Sequence, residues 1–262
     1  MWHLPVLLLC AACALLIYIQ EKFSQHKHGD TIKSGGSLAR PFYRIVNLVI
    51  YDERNDHERQ MQSQLQRLFR DANYASYTRQ LFIACDPTSL EAQENNHMLY
   101  VGCEESYAPG ILQKSIKAMQ FCLQTFDFDI LIRSNISTII DFDRLPMTEL
   151  TSNEVLYAST SIMHLNEPEK AFASGTNIIL NRNAVEYIVT HSDALDIQKP
   201  DDVAIGEILR GVATPYQTST LMTWDEDNPS GVVFRNRDPN HDRSKDVRRM
   251  ESIVSMILSR TV

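Results

Sequence analysis

Glycine is scarce in this chain, which has only 9 glycines among 262 residues, roughly half the ordinary share of this residue. Neither of the glycine-rich phosphate-binding patterns, GxGxxG and GxxxxGK[ST], occurs anywhere in the sequence. Dinucleotide-binding and P-loop enzymes use such loops to bring backbone N–H groups against phosphates. The sequence therefore argues against a Rossmann dehydrogenase and against a P-loop NTPase.

Positive charge is also in short supply, since 25 Lys and Arg face 33 Asp and Glu and give a net charge of −8. Nucleic-acid binders depend on neutralising phosphates, so no nucleic-acid partner is expected. Hydrophobic residues make up 44% and charged residues 22% of the chain, which argues against intrinsic disorder. The length suits one large α/β domain or two small ones.

Charge is absent from residues 2–19, and residues 4–19 are almost wholly apolar. About 17–25 apolar residues are needed to span a bilayer, so residues 1–20 are predicted to be a signal anchor or transmembrane helix. A cleaved signal peptide and a buried core helix are the alternatives. Residues 21–41 are predicted to be a flexible stem, and residues 42–262 the folded domain.

The predicted span implies a single-pass membrane protein, of the Golgi or ER type II class if the source is eukaryotic. Its orientation stays open. Lys22 and Lys27 follow the span, and the positive-inside rule would place them in the cytoplasm.

Cysteine is too rare for a disulfide framework. Cys10 and Cys13 lie in the apolar segment, which leaves Cys85, Cys103 and Cys122 in the domain. Three is an odd number, and the spacing fits no zinc site. We therefore expect buried free thiols.

The domain alternates segments of strand and helix character. Residues 44–51 and 129–133 are predicted to be buried strands, and residues 58–70 and 111–126 amphipathic helices. Further strands are predicted at 81–85, 98–103, 155–159, 171–181 and 232–234, and further helices at 184–191, 201–210 and 246–259. This alternation predicts an α/β fold with a central, mostly parallel sheet flanked by helices.

Short polar residues follow the predicted strand in the stretch FDFDILIRSNISTIIDFDRL, residues 126–145. Ligands of open α/β sheets bind beyond the carboxyl ends of strands. Arg133, Ser134, Asn135 and Ser137 are therefore candidates for ligand contacts. A polar turn after a core strand is the alternative.

Two later segments, FASGTNIILNR (172–182) and PDDVAIGEI (200–208), follow the strand DILIR in an order and spacing that indicate a family. Together they resemble the Fringe-like β1,3-galactosyl- and N-acetylglucosaminyltransferases. A further match, Glu105-Ser106-Tyr107 before Lys114-Ser115, is similar to the D-x-Y-x-N-L-T-x-K-T stretch of that group. The resemblance covers residues 98–240. It implies a GT-A fold, a UDP-sugar donor, a glycan or glycoprotein acceptor and transfer with inversion.

The sequence departs from that group at the acidic triplet that holds Mn²⁺ against the donor diphosphate. Asn135-Ile136-Ser137 occupies the triplet and contains no carboxylate, whereas hard cations prefer anionic oxygen ligands. Asp141, Asp143 and His241 are weaker metal candidates, and Asp127 with Asp129 matches the DxD pattern at the wrong end of its strand. Mn²⁺ or Mg²⁺ is thus left open as a cofactor, and none is required by the sequence.

Arginine replaces the family's late metal-binding histidine. Arg235 and Arg237 follow Phe234 at the corresponding positions, and a guanidinium binds phosphate oxygens bidentately. We predict metal-independent transfer, in which Arg235 or Arg237, together with Arg133, binds the diphosphate. For residues 243–249 a solvated basic helix face is an equal alternative.

Inverting transfer needs a carboxylate base for the acceptor hydroxyl. The resemblance assigns this role to Asp202, with Asp201 as its alternative. Acids in the first turn of a helix would also be explained by the helix dipole alone. Ser174 and Gly175 are expected to let the backbone approach the sugar, or else to form a strand bulge.

Three interpretations therefore compete. The first is an inverting glycosyltransferase that moves a hexose or N-acetylhexosamine from a UDP-sugar to a hydroxyl of a glycan or glycoconjugate. The second is a catalytically silent GT-A-like protein that binds glycans or a partner. The third is an unrelated, membrane-tethered α/β protein.

Overall fold

The computed structural model describes residues 39–152, 154–165, 167–220, 222–223 and 228–260. The predicted anchor, residues 1–20, lies outside these residues, and the predicted stem overlaps them only at residues 39–41. Within the described ranges, no helix combines the length and the apolar character needed to cross a membrane.

The described residues form thirteen strands and five α-helices. The strands are β1 (Phe42–Ile50), β2 (Thr78–Cys85), β3 (Gln93–Asn95), β4 (Met98–Val101), β5 (Asp127–Asn135), β6 (Thr138–Ile140), β7 (Tyr157–Ser159), β8 (Ile162–Leu165), β9 (Glu167–Ala173), β10 (Asn177–Asn181), β11 (Tyr216–Gln217), β12 (Met222–Thr223) and β13 (Val233–Arg235). The helices are α1 (Asp56–Asp71), α2 (Gly110–Thr125), α3 (Arg182–Thr190), α4 (Asp201–Leu209) and α5 (Arg243–Arg260).

The main sheet has eight strands in the order β11-β7-β10-β5-β1-β2-β4-β3. Its centre is parallel, because β1 pairs with β2 and β5, and β2 pairs with β4, all in the same direction. Strand β10 runs antiparallel to both β5 and β7. A small sheet, β12-β13-β6, and the hairpin β8-β9 complete the strands. The carboxyl ends of the parallel strands meet at one edge, where a ligand site is expected.

Two apolar layers cover the two faces of the sheet. Along β1, Ile45 and Val49 pack with helices α1 and α5, whereas Val46 and Leu48 pack with α2, α3 and α4. This division follows from the alternation of side chains along a strand. The predicted α/β fold with a large central sheet is confirmed, although the sheet mixes parallel and antiparallel pairs.

Helix boundaries follow local capping chemistry. Helix α1 begins two residues before its predicted start, because the Asn55 side chain accepts hydrogen bonds from the backbone N–H groups of His57 and Glu58. The extended segment predicted at 171–181 is divided into β9 and β10. The turn between these strands contains Ser174 and Gly175, and it reaches the edge of the sheet where the cleft opens.

The prediction of free thiols in the domain is wrong for two of the three cysteines. Cys85 and Cys103 form a disulfide, and Cys122 is a buried free thiol. Cys85 ends β2 and Cys103 follows β4 by two residues, so the parallel pairing of these strands brings both cysteines to the same edge. The odd count misled the prediction, because Cys122 lies apart from them, within helix α2.

Candidate functional site

A cleft of about 960 Å³ opens at the carboxyl edge of the parallel strands. Segments following β1 and β5, the start of α2, the β9–β10 turn, the start of α4 and the stretch from β13 to α5 all contribute to it. Of the residues predicted for the site, the lining contains Arg133, Asn135, Ser137, Ser174, Gly175, Asp201, Asp202, Arg235, Arg237 and His241. The structure therefore brings together residues that are more than one hundred positions apart in the sequence.

Arg133 and Asp201 form a buried ion pair in the cleft wall. Nε of Arg133 lies 2.7 Å from Oδ2 of Asp201, and Nη2 donates to Oδ1 at 2.8 Å. Only 3% of the Arg133 side chain and 5% of the Asp201 side chain are exposed. Ser115 Oγ donates a further hydrogen bond to Asp201 Oδ2 at 3.0 Å. Because the Arg133 guanidinium pairs with both oxygens of Asp201 and the pair is almost fully buried, this carboxylate is poorly placed to accept a substrate proton.

The third guanidinium nitrogen of Arg133, Nη1, is hydrogen-bonded to the β9–β10 turn. Nη1 donates to the Gly175 carbonyl oxygen at 2.5 Å and to Asn135 Oδ1 at 2.8 Å. Every guanidinium nitrogen of Arg133 thus contacts a protein oxygen. Arg133 was predicted to bind the donor diphosphate, and it is better described as a residue that positions Asp201 and Gly175.

Asp202 has a different environment from Asp201. Its Oδ2 accepts the Gly175 backbone N–H at 3.0 Å, and its Oδ1 accepts the Val203 N–H at 2.9 Å. Burial and, secondly, the negative charge of Asp201 raise the pKa of Asp202, against the opposing effects of Arg133 and the two backbone hydrogen bonds. Asp202 lines the cleft and has no ion-pair partner among the described residues.

The surroundings of Gly175 are crowded at this turn. A Cβ at this position would lie 3.1 Å from Nη1 of Arg133 and 3.1 Å from Oδ2 of Asp202. A side chain would therefore fit only if Arg133 or Asp202 shifted slightly. This packing gives Gly175 a specific role beside the predicted one of letting the backbone approach a sugar.

Arg235 forms no ion pair with a carboxylate of the described residues. Its Nη1 donates to Ser137 Oγ at 2.9 Å and to Thr138 Oγ1 at 3.4 Å, and no acidic group of the described residues lies within ion-pair distance. Burial, followed by the positive charges of Arg237 and Arg133, lowers the pKa of Arg235 to about 10. The guanidinium stays protonated at neutral pH, and an anion in the cleft would relieve this unfavourable environment.

Other basic residues between β13 and the start of α5 differ in whether they are exposed or ion-paired. Arg237 and His241 are exposed side chains at the cleft. Arg243 is paired, because its Nη1 donates to Asp246 at 2.9 Å and its Nη2 lies 3.8 Å from Glu58. Arg235 and Arg237 are therefore the arginines most available to a ligand.

Three predicted residues lie away from the cleft. Ser134 points to the other face of β5, where its Oγ donates to Asn47 Oδ1 at 3.0 Å, because side chains alternate along a strand. Asp141 is buried and accepts hydrogen bonds from Tyr74 and Arg260. The structure therefore separates Ser134 and Asp141 from the other site candidates.

Asp143 is the third of these residues, and it accepts a hydrogen bond from Tyr77 Oη at 2.6 Å. Asp127, at the amino end of β5, instead contacts Arg182 and Arg40. Among the described residues, no group of three or more His, Cys, Asp or Glu side chains is arranged to hold a metal ion.

A second buried ion pair in the cleft wall was not assigned a role from the sequence. Nζ of Lys114 lies 2.7 Å from Glu105 Oε2 and donates to the Tyr51 carbonyl oxygen at 2.7 Å. Glu105 Oε1 also accepts the backbone N–H of Cys85. The D-x-Y-x-N-L-T-x-K-T resemblance includes Glu105 and Lys114, so a signal for this pair was present in the sequence.

Comparisons with known proteins give limited information. No protein-family model matches the chain, and no curated protein sequence matches it significantly. Among solved structures, one neighbour is described as a glycosyltransferase involved in the glycosylation of the major capsid of PBCV-1. It has a TM-score of 0.48 and 12% sequence identity, and the match covers 79% of this chain and 98% of the neighbour. Function is therefore inferred from the site.

Proposed function

We propose that this protein is a GT-A-like glycosyltransferase that transfers a hexose or N-acetylhexosamine from a UDP-sugar to a hydroxyl of a glycan or glycoconjugate, with inversion. One observation carries the proposal. The cleft contains the guanidinium of Arg235, which has no carboxylate partner among the described residues, together with a carboxylate, Asp202, whose pKa is raised. An anion-binding group and a base in one cleft are the two requirements of such a transfer.

In the proposed reaction, Arg235 and Arg237 bind the diphosphate of the donor. Hydrogen bonds to charged groups contribute about 1.5–3 kcal/mol each, and the guanidinium offsets the charge that develops on the leaving group. The acceptor oxygen forms a bond to the anomeric carbon, and the bond from that carbon to the β-phosphate oxygen breaks. The electron pair leaves with UDP, and the acceptor proton passes to Asp202.

Asp202 is a better base than Asp201. The Arg133 guanidinium and the Ser115 hydroxyl occupy the oxygens of Asp201, whereas Asp202 receives only backbone N–H groups. A carboxylate with a raised pKa accepts a proton more readily near neutral pH. The Arg133–Asp201 pair then serves to position Asp202 and the Gly175 turn.

The cleft residues do not fit the metal site of the Fringe-like group. Asn135 and Ser137, at the positions of the acidic triplet, offer neutral oxygens, and Ser137 Oγ already accepts a hydrogen bond from Arg235. A divalent cation held by these two residues would meet the positive charge of Arg235 and receive no carboxylate oxygen from either of them. We therefore assign no step of the reaction to a metal ion.

The test measures UDP release from UDP-glucose, UDP-galactose, UDP-N-acetylglucosamine and UDP-N-acetylgalactosamine, with EDTA and with added Mn²⁺. We expect turnover of at least one donor in EDTA. Arg235→Ala should weaken UDP binding about 10- to 100-fold, the loss of one charged contact. Arg248→Gln, a charge-matched control on the exposed side of α5, should leave binding unchanged. Strict Mn²⁺ dependence would refute the arginine assignment.

A catalytically silent UDP-binding protein is the second candidate, because the carboxylates of the family's metal site are missing at Asn135 and Ser137. The same experiment separates the two candidates. UDP binding that depends on Arg235, without turnover of any donor, would favour the silent protein.

For the cellular location, we propose the lumenal or extracellular side of a membrane to which the predicted span at residues 1–20 attaches the domain. Disulfides such as Cys85–Cys103 persist in oxidising compartments. This supports a type II orientation, and it argues against the opposite orientation, in which Lys22 and Lys27 lie in the cytoplasm. Protease protection of a carboxyl-terminal tag in intact vesicles from the source cells would test this orientation. Digestion of the tag from the cytoplasmic side would contradict it.

A further inference from the structure

We infer that one part of the cleft, the apolar wall, binds the acceptor as a neutral sugar whose C–H face rests on Tyr107 and Met163. The apolar wall consists of Tyr107, Ile111, Met163, Phe172 and Val203. The inference rests on the proposed glycosyltransferase function and adds the chemistry and the residues of acceptor recognition.

The cationic side chains of the cleft lining are concentrated in one stretch of the chain. The stretch from β13 to α5 contributes Arg235, Arg237 and Arg243, whereas the apolar wall comes from the start of α2, the β8–β9 hairpin and the start of α4. Among the residues that line the cleft, the cation nearest in sequence to the wall is Lys114, and Glu105 neutralises it. An anionic ligand would therefore prefer the arginines, and the apolar wall suits an uncharged ligand.

The apolar wall adjoins the proposed base. Val203 directly follows Asp202, and Met163 lies opposite Phe172 in the hairpin. Phe172 in turn contacts Gly206, one helical turn beyond Asp202 in α4, because a Cβ on Gly206 would lie 2.5 Å from the Phe172 Cβ. An acceptor whose hydroxyl reaches Asp202 can therefore lie against these side chains.

Tyr107 is connected through helix α2 to the acidic pair Asp201-Asp202. Ile111 precedes by one helical turn Ser115, whose hydroxyl contacts Asp201, and Tyr107 stands in the loop just before this helix. The Tyr107 side chain is 72% exposed and the Met163 side chain 48% exposed. Large apolar side chains left open in a cleft indicate a binding surface, and a tyrosine ring offers an apolar face with a polar edge. A pyranose has the matching combination of C–H and hydroxyl groups.

The experiment uses the full chain and any UDP-sugar that it hydrolyses or transfers. The acceptor probes are the neutral disaccharides lactose, cellobiose and N,N′-diacetylchitobiose, compared with sialyllactose, a serine- and threonine-containing peptide and octanol. We expect transfer to at least one neutral disaccharide. Tyr107→Ala should raise the KM for that acceptor about five- to tenfold, the magnitude of one aromatic contact, and should change the donor KM much less.

Matched variants separate stacking from folding. Tyr107→Phe keeps the ring and should stay within about twofold of the parent protein, since stacking does not need the hydroxyl. Leu90→Ala removes a side chain that is fully exposed and lies outside the cleft lining, and it should change neither KM. Equal acceptor KM values for Tyr107→Ala and Tyr107→Phe would refute the inference, as would transfer only to the peptide, to octanol or to sialyllactose.

A direct binding measurement keeps this inference separate from the proposed function. Saturation-transfer NMR with the same neutral disaccharides should show C–H contacts in the parent protein that are lost in Tyr107→Ala. If no donor is turned over but these contacts are present and depend on Tyr107, the sugar site stands and the transferase proposal fails. If turnover occurs and the contacts are absent, the apolar wall is not the acceptor site.

Discussion

The buried pair of Arg133 and Asp201 allows the most quantitative prediction about this cleft. Arg133→Met removes the guanidinium and leaves a carboxylate that is 5% exposed with one remaining side-chain donor, Ser115. Breaking a buried ion pair in this way costs about 3–5 kcal/mol. For a domain of this size, such a loss lowers the melting temperature by about 6–20 °C.

Urea unfolding of the parent protein and three variants tests this estimate. Arg133→Met should shift the midpoint strongly, whereas the double variant Arg133→Met/Asp201→Leu should recover much of the loss, since it leaves no uncompensated buried charge. Arg59→Met removes an exposed pair with Asp56 and should cost less than about 1 kcal/mol. A cost below about 1 kcal/mol for Arg133→Met, or a double variant as unstable as the sum of its parts, would refute the account.

Three further predictions concern catalysis and the disulfide. Asp202→Asn should lower the transfer rate about 10²- to 10⁴-fold, and near-normal turnover would exclude Asp202 as the base. Because burial raises the pKa of Asp202 above the usual aspartate pKa, which is about 3.9, protonation should abolish activity on an acidic limb centred above that usual value. A limb centred at or below it would contradict the assignment. Replacing Cys85 and Cys103 by serine removes a cross-link across 18 residues and should cost about 3 kcal/mol by chain-entropy estimates, measured by urea unfolding of both forms.

Local patterns predicted the elements of the fold well, because their physical causes lie close together in sequence. The stripe of Met61, Leu65 and Leu68 in α1 is buried as the helical period required. Pairing between distant segments was harder to predict. The disulfide was missed because the partners of Cys85 and Cys103 depend on which strands become neighbours, and a count of cysteines carries no such information.

The candidate site shows the same difference between local patterns, which could be predicted, and contacts between distant segments, which could not. The family resemblance implied that the polar residues at the end of β5 and the Asp201-Asp202 pair belong to one site, and the lining of the cleft contains both. The strand period alone could have separated Ser134 from Arg133 and Asn135, since alternate residues face opposite sides of a sheet. The difference between Asp201 and Asp202 could not be predicted in this way, because it depends on Ser115 of α2, which lies 86 positions from Asp201.

The arginines illustrate why charge in a sequence does not by itself locate an anion site. Arg133, Arg235 and Arg243 all line one cleft, yet Asp201 neutralises the first and Asp246 the third. Of these three, Arg235 has no such partner among the described residues, so its field is the one that a diphosphate can satisfy. Because the partners come from α4 and α5, the distinction appears only when the chain has folded. The negative total charge and the scarcity of glycine are therefore compatible with nucleotide binding, provided that side-chain charge takes the place of a glycine-rich loop.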